Sequence, residues 1–259
     1  MTNAEFLDTY LHMQSGIIFD KLTKFNESIL TFCQADEATY WNFALVKRVM
    51  SEQEIDNLAQ AFIKLKRIPS IYFEDKPELY PLKELLTRKG YKISYEDSWM
   101  FYEQASVHLP ADYKVISVSS DQELEIFLDI FNKCYQKDDP QNPYGEFGEG
   151  YLKIISDSWY NYHQSQRVEC FIFYKNQEPV AVSALTNYED AGYISNVGSV
   201  RHVRGQGFGR LATLHCVKKS IEKGHNYHFL ATEAGHYPHK FYQRIGFKTK
   251  FTAIDFAKE

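Results

Sequence analysis

The first half of this 259-residue chain has almost no glycine. Gly16 and Gly90 precede residue 110, and the other eleven of 13 lie beyond residue 140. A Cβ hinders close approach of a ligand to the backbone, so a site that needs such approach is expected in the second half. Cysteine is also scarce. Cys33, Cys134, Cys170 and Cys216 form no Cys-x-x-Cys pair, and none stands near a histidine at finger spacing. That excludes a zinc ribbon and a disulfide-stapled scaffold; the four read as reduced thiols, and no metal site is predicted. Positive charge is not in excess, with 29 Lys and Arg against 34 Asp and Glu and a net charge of −5. The broad basic footprint of a nucleic-acid-binding protein is therefore missing. No apolar run approaches ~20 residues, so no membrane span is predicted. The opening MTNAEFLDTYLHMQSG has no basic segment leading into an apolar one, so no signal peptide is predicted and a cytoplasmic protein is expected.

What remains is the composition of a soluble globular protein, 44% hydrophobic and 24% charged, long enough for one large domain or two small ones. Aromatics reach 16%, with 19 Tyr and 19 Phe. Such residues fill cores and also line ligand clefts, so their excess alone does not choose between the two.

Ser51 stands three residues before Glu54, a capping-box spacing, and Ile55, Leu58, Ala59, Phe62, Ile63 and Leu65 follow at helical intervals. Residues 70–73 read as a short strand, 77–89 as a helix closed by Gly90, and 91–102 as a strand or bent pair of strands. Segment 105–110 is the expected linker. The second half restarts with a strand at 113–118, then a helix from Ser120 to about residue 135. A loop rich in Pro, Gly, Asp and Tyr covers 136–150, followed by a helix at 151–163 and strands at 169–174, 179–187 and 193–200. A glycine-rich turn opens a helix at 207–223. A strand at 228–232, a helix at 238–245 and a strand at 247–256 complete the chain. This alternation predicts an α/β sandwich, with a smaller domain over 1–108 and a larger one over 112–259. Residues 80–91 echo 237–247 with one single-residue gap, each running from Tyr-Pro to Gly and an aromatic, as a tandem duplication would.

The segment that carries chemistry runs from Asn196 to Arg210. A strand ends at Gly198-Ser199-Val200, the chain turns through Arg204-Gly205-Gln206-Gly207-Phe208-Gly209-Arg210, and a helix begins. Successive N–H groups at a helix N-terminus make an anion site, and Arg201, Arg204 and Arg210 add charge-assisted donors, so a diphosphate is a sensible guest. A Walker loop would need Gly-Lys-Ser/Thr, whereas Gly209 is followed by Arg210 and Leu211; the dinucleotide fingerprint needs a different glycine spacing and an earlier place in the chain.

Arg204-x-x-Gly207-x-Gly209 resembles the pyrophosphate signature of the GNAT superfamily of acyl-CoA-dependent N-acetyltransferases. Phe241-Tyr242-Gln243-Arg244-Ile245-Gly246-Phe247 resembles that family's second hallmark. The resemblance covers residues 112–259 well and the first half loosely, through the echo. It implies a mixed central sheet flanked by helices, preceded by a smaller GNAT-like half that has lost its glycine turn and carries Leu86 where Tyr242 stands in the second. That half is assigned a structural role: covering a sheet edge, completing the acceptor cleft or holding a homodimer.

The resemblance also implies roles. Acetyl-CoA would be the acyl donor, with no metal. Gly198, Ser199 and Val200 would bond its pantetheine arm, the N–H near Val200 would polarise the thioester carbonyl, and Arg204, Gly205, Gln206, Gly207, Phe208, Gly209 and Arg210 would cradle the pyrophosphate. Tyr242 would protonate the departing thiolate, a task that suits a phenol protonated at neutral pH. The general base is less determined. Tyr193, Ser195 and Val197 are expected on one face of their strand, with no carboxylate among them. Glu233, at the end of the following strand, is the first candidate, ahead of Glu189, Asp190, His236 and His239. Asp138, Asp139, Glu146 and Glu149 with Tyr144 and Phe147 would give the 135–150 loop an acidic, aromatic rim suited to a cationic amine. The expected activity is acetyl transfer to a primary amine of a small cationic molecule in a ternary complex. The alternatives are acetylation of a protein lysine or N-terminus, and a non-catalytic acyl-CoA-binding regulator.

Overall fold

The computed structural model describes residues 2–104, 106–110 and 113–258. In chain order the elements are α1 (Asn3–Gln14), β1 (Lys21–Phe25), β2 (Ser28–Phe32), β3 (Ala44–Leu45), α2 (Glu52–Lys64), β4 (Ser70–Glu74), α3 (Tyr80–Arg88) and β5 (Lys92–Tyr102). There follow β6 (Lys114–Ser117), α4 (Asp121–Cys134), α5 (Glu149–Tyr162), β7 (Val168–Lys175), β8 (Glu178–Tyr188), β9 (Ala191–Ser199), α6 (Phe208–Glu222), β10 (Tyr227–Glu233), α7 (Tyr237–Arg244) and β11 (Phe247–Ala257). Two compact units result, one of Met1–Trp99 with Lys250–Glu259, the other of Met100–Thr249. Of the expected linker and domain limits, Met1, Ala105, Asp112 and Glu259 lie outside the described residues.

Local sequence chemistry accounts for most helix ends. Thr2, Ser51 and Ser120 accept the N–H three residues on, and at the first two a Glu returns the bond. The helix α1 and strands β1–β3 are additions to the pattern expected for the first half, which began only at Ser51. The signals were there: a Thr-x-x-Glu cap before Phe6, Leu7, Tyr10 and Leu11, all buried, and a hairpin turning on Asn26 at φ 54°.

In the first unit the strand order is β1-β2-β3-β4-β11-β5. β1, β2 and β3 are antiparallel neighbours, β3 and β4 run parallel, and Ala253–Ala257 of β11 pair antiparallel with β4. So β4 is flanked by the last strand of the chain rather than by β5, which follows it after one helix. One face packs Ile71, Phe73, Ile254 and Phe256 against Ile55, Leu58 and Phe62 of α2 and Leu82, Leu85 and Leu86 of α3. The other carries a buried polar chain in which Trp99 Nε1 donates to the Tyr72 hydroxyl (2.8 Å) and that hydroxyl to Asp97 (2.9 Å). Ser70 donates to Asp255 on the same sheet.

In the second unit the order is β5-β10-β9-β8-β7-β6. Residues 170–173 of β7 and 180–185 of β8 are buried without alternation, as expected of strands covered on both faces. The cover on one face is α6, whose residues Leu211 to Val217 are all buried and whose Leu211, Leu214 and Val217 pack with Phe171, Phe173, Leu185 and Ile194. Gly192 lets α6 come this close: a Cβ there would meet Ser220 Oγ at 2.1 Å. The opposite face meets α4, because a Cβ on Gly198 would lie 2.6 Å from Cys134 Cβ.

Two features of β9 open the site. It pairs with β10 in parallel only over Ala191–Tyr193 and Tyr227–Phe229, so Ile194–Ser199 and Leu230–Glu233 separate. Against β8 the register shifts between Val182 and Ala184, which pair with Gly198 and Ser195. β9 therefore holds one extra residue, a bulge with Asn196 at φ 51°, a conformation that asparagine tolerates. The bulge corrects the expected alternation. Tyr193 packs on Phe229, but Val197 packs with the Ile194 and Leu211 cluster on the α6 face.

Candidate functional site

The glycine turn begins where β9 leaves the sheet. The Val200 N–H donates to Val180 O at 2.9 Å. Of the N–H groups near Val200, that of Val200 itself is therefore held by β8 and not free for a thioester carbonyl. Antiparallel strands alternate bonded and non-bonded pairs, so the preceding residue, Ser199, turns its N–H away from β8 and toward the side where β10 has parted. That N–H has no acceptor among the described residues.

Beyond a single 3-10 turn at Arg201–Val203, Gly205 and Gly207 take φ of 77° and 88°. A Cβ would meet nothing within 4 Å at either position; the left-handed backbone, rather than crowding, calls for glycine. Gly209 is different: it is helical, and a Cβ there would lie 3.4 Å from Phe241 Cζ. The result is an open helix N-terminus. Gly207 caps α6 without a side chain, and among the described residues the N–H groups of Gly205, Gly207, Phe208, Gly209 and Arg210 find no acceptor. Five such donors, aided by the helix dipole, form a nest for a polyanion. Arg210 is exposed beside them with no ion pair among the described residues. The Gln206 side chain is held by Lys175 (2.8 Å) and donates to His202 O (3.1 Å), and its N–H donates to Val203 O (3.2 Å), so neither its amide nor its N–H is free for the nest.

The other two arginines are committed elsewhere. Arg201 grips Asp138 at the surface, with Nη1 at 3.0 Å. Arg204 forks onto Asp139, with Nη1 at 2.7 Å from Oδ1 and Nη2 on Oδ2, and also reaches the carbonyls of Ser199 and Cys134. The Asp139 side chain is only 1% exposed; its pairing with Arg204 holds the carboxyl below the usual range and raises the guanidinium. Two of the four carboxylates expected to form an acidic rim are thus neutralised.

The loop between α4 and α5 lies over the split between β9 and β10. The Tyr135 hydroxyl donates to Val197 O (2.7 Å), Tyr151 to Asn196 Oδ1 (2.8 Å), and the Tyr144 hydroxyl meets Thr232 Oγ1 at 2.8 Å while accepting the Glu233 N–H at 3.4 Å. Phe147 packs on Tyr135 and Tyr151 at 4.9 and 4.6 Å between centroids. The bulge at Asn196 is what these tyrosines hold.

Glu233 ends β10. Its side chain is 19% exposed, Oε2 is buried without a partner among the described residues, and Oε1 lies 3.6 Å from His236 Nε2. Burial raises its pKa, with His236 opposing. Tyr242 projects from α7 against Phe241 and Phe247. Its hydroxyl has no hydrogen-bond partner among the described residues, and burial, then the Tyr144 hydroxyl, push its pKa up. A protonated phenol and a residue whose carboxyl has a raised pKa therefore both neighbour the Tyr144 hydroxyl. Glu189 and Asp190 are not brought here; they form the turn between β8 and β9, at the far end of β9 from Ser199, about 30 Å of strand away. His239 is engaged with Gly235 N–H (3.0 Å) and Thr249 (2.9 Å). All four cysteines are buried, and no group of three or more metal-ligating side chains occurs among the described residues. No helix there is long and apolar enough to cross a membrane.

Comparison with known proteins gives this arrangement a context. Residues 124–247 match the acetyltransferase (GNAT) family, while no curated protein matches the sequence. Among solved structures, a GCN5-related N-acetyltransferase from Kribbella flavida is similar over 98% of this chain and 95% of its own, with TM-score 0.70 at 18% identity. A functionally unknown conserved protein from Staphylococcus epidermidis is similar over 94% and 95%, with TM-score 0.67 at 14% identity. A tandem GNAT protein from the clavulanic acid biosynthesis pathway is similar over 90% and 78%, with TM-score 0.56 at 12% identity. At these identities the likeness is one of fold.

Proposed function

Residues 124–247 make this chain a member of the GNAT superfamily, and from that premise we propose that it transfers an acetyl group from acetyl-CoA directly to a primary amine of a small molecule. The observation that carries this reading is the row of acceptor-less N–H groups at the start of α6, next to the parted ends of β9 and β10. The nest suits the pyrophosphate of a coenzyme A thioester, with Arg210 as its free cation. The Ser199 N–H takes the oxyanion role at the thioester carbonyl. Glu233 accepts the proton that the acceptor ammonium must lose. As the amine nitrogen bonds to the carbonyl carbon and the carbon–sulfur bond breaks, Tyr242 gives its proton to the sulfur, and the proton that the new amide nitrogen sheds restores the phenol.

Direct transfer is favoured over an acyl-enzyme. The thiols beside the site, Cys134 next to Gly198 and Cys216 near Tyr242, are buried and each pushed up to about 12, which makes them poor nucleophiles. A small acceptor is favoured over a protein because the 135–150 loop is bonded down over an aromatic floor of Phe131, Tyr135, Phe147 and Tyr151. Calorimetric titration with acetyl-CoA should show one saturable site per chain. Tyr242→Phe should lower kcat about 10²–10³-fold and leave that affinity unchanged. Absence of binding would remove the donor assignment, and undiminished turnover would remove the role of Tyr242.

A further inference from the structure

Arg204 heads the motif that first suggested a phosphate site, yet its guanidinium is turned inward. Both ends of its fork meet one carboxylate, Asp139. Its Nε–H reaches Ser199 O (3.4 Å), and Nη2 also reaches Cys134 O (3.5 Å). A guanidinium has five N–H donors, and these contacts occupy most of them. Asp139 in turn is buried at 1% exposure between the exposed Lys137, Asp138 and Pro140, and its Oδ1 also accepts the Gln141 N–H (3.0 Å). A carboxylate is taken out of water only where charge and hydrogen bonds replace the water. Its place is therefore fixed by Arg204 and not by the loop alone.

The three groups that Arg204 touches belong to different parts of the site. Ser199 carries the outward N–H at the donor side. Cys134 ends the helix that meets Gly198. Asp139 opens the loop that carries Tyr144 and Phe147 to the acceptor side. Resting on the acetyltransferase reading, we propose that Arg204 and Asp139 are a positioning pair. They lock the acceptor loop to the carbonyl of Ser199, so that the amine site is shaped by the donor turn, and Arg204 itself does not bind phosphate. Asp138 with Arg201 forms an exposed pair alongside, too screened by water to do the same.

Two variants separate this from the alternative that Arg204 is a phosphate ligand. Asp139→Asn keeps the shape and removes the charge; Arg204→Lys keeps the charge and removes the fork. If the pair positions the loop, each variant raises KM for the amine about tenfold, the double variant is no worse than either single, and the affinity for acetyl-CoA by calorimetry changes less than about twofold. The control Asp138→Asn leaves KM within about twofold. If Arg204 binds phosphate, Asp139→Asn frees it and tightens acetyl-CoA binding, whereas Arg204→Lys weakens it; that pattern overturns the proposal. A readout independent of turnover is tryptic cleavage after the exposed Lys137, expected to quicken about tenfold in Asp139→Asn. Faster cleavage in a protein that does not bind acetyl-CoA would keep the clamp and discard the acetyltransferase reading. Unchanged cleavage and unchanged KM would discard the clamp.

Discussion

Gly198 is the point where the site depends most on a missing side chain, and Gly198→Ala is the perturbation that tests it. The residue lies in a strand and its φ is not left-handed, so backbone strain is not at issue. A Cβ there would come within 2.6 Å of Cys134 Cβ, 2.9 Å of Cys134 Sγ and 3.4 Å of Tyr135 Cε2. To restore an ordinary contact, the end of α4 must retreat by about 0.8 Å. Such overpacking costs ~1–3 kcal/mol. The retreat also pulls Tyr135 from Val197 O, a hydrogen bond worth ~1 kcal/mol. Urea unfolding should therefore show a loss of about 2–4 kcal/mol, read from the midpoint at constant slope. The identity of the clash gives a sharper test. Cys134→Ala removes only the sulfur contact and leaves the closer Cβ, so it should not rescue Gly198→Ala. Cys134→Gly removes both, at ~1 kcal/mol of helix propensity. In that background Gly198→Ala should cost less than ~0.5 kcal/mol, a coupling visible in a double-mutant cycle. Equal cost of Gly198→Ala in both backgrounds would refute the close approach of α4 to β9.

Three further outcomes follow from buried titratable groups. Glu233 must be ionised to accept a proton and burial raises its pKa, so the acid limb of kcat/KM should lie above the ~4.3 of an ordinary glutamate; Glu233→Gln should lower kcat about 10²–10³-fold and abolish that limb. His215, buried against Tyr113 and Phe171, is depressed from 6.5 to about 4. Its contribution to stability is present above pH 6.5 and lost as pH falls toward 4, about 3 kcal/mol in all. An acid limb of equal size in the urea stability of His215→Phe would contradict this. Asp255 is buried, its Oδ2 has no partner among the described residues, and its pKa is raised by that burial. The unfolded chain ionises it more readily, so stability falls as pH rises above ~3.9. Asp255→Asn, which keeps the acceptor for Ser70, should be more stable than wild type at pH 7 and equal to it below that range; a less stable variant at pH 7 would count against the assignment.

The parts of the fold written in local chemistry were legible in the sequence. The Ser51/Glu54 cap, the Gly90 and Gly224 helix ends and the glycine turn before α6 lie where spacing and conformational preference put them. What was not legible depends on partners far away in the chain. The bulge in β9 exists only relative to β8, and it moved Val197 to the opposite face and left Ser199, not Val200, with the outward N–H. The pairing of β4 with β11 joins segments more than 170 residues apart, and nothing in the sequence of β5 signals that it is not the neighbour of β4. From its place in a motif alone, Arg204 reads as a phosphate ligand. Its partner Asp139, 65 residues earlier, sits in a loop whose charges look solvated because the arginines that neutralise them belong to another segment.

The two units show why a helix N-terminus alone is not a binding site. α2 and α6 are both long helices that follow a strand, and each presents the same kind of unsatisfied N–H groups and positive dipole end. At α2 the chain supplies its own anion. Ser51 accepts the Glu54 N–H, Glu54 accepts the Ser51 N–H at 2.8 Å, and Arg48 holds the other carboxylate oxygen at 2.6 Å. Those bonds keep Glu54 ionised down to about 2, so the place a phosphate would take is held by a carboxylate at every physiological pH. At α6 neither Gly205 nor Gly207 can cap with a side chain, the first turn contains no acid, and the nearest arginine fork is turned away to Asp139. A bound polyanion can satisfy only the second helix without displacing a group already there, so the capping chemistry is the reason one acetyl-CoA per chain, not two, is the stoichiometry proposed.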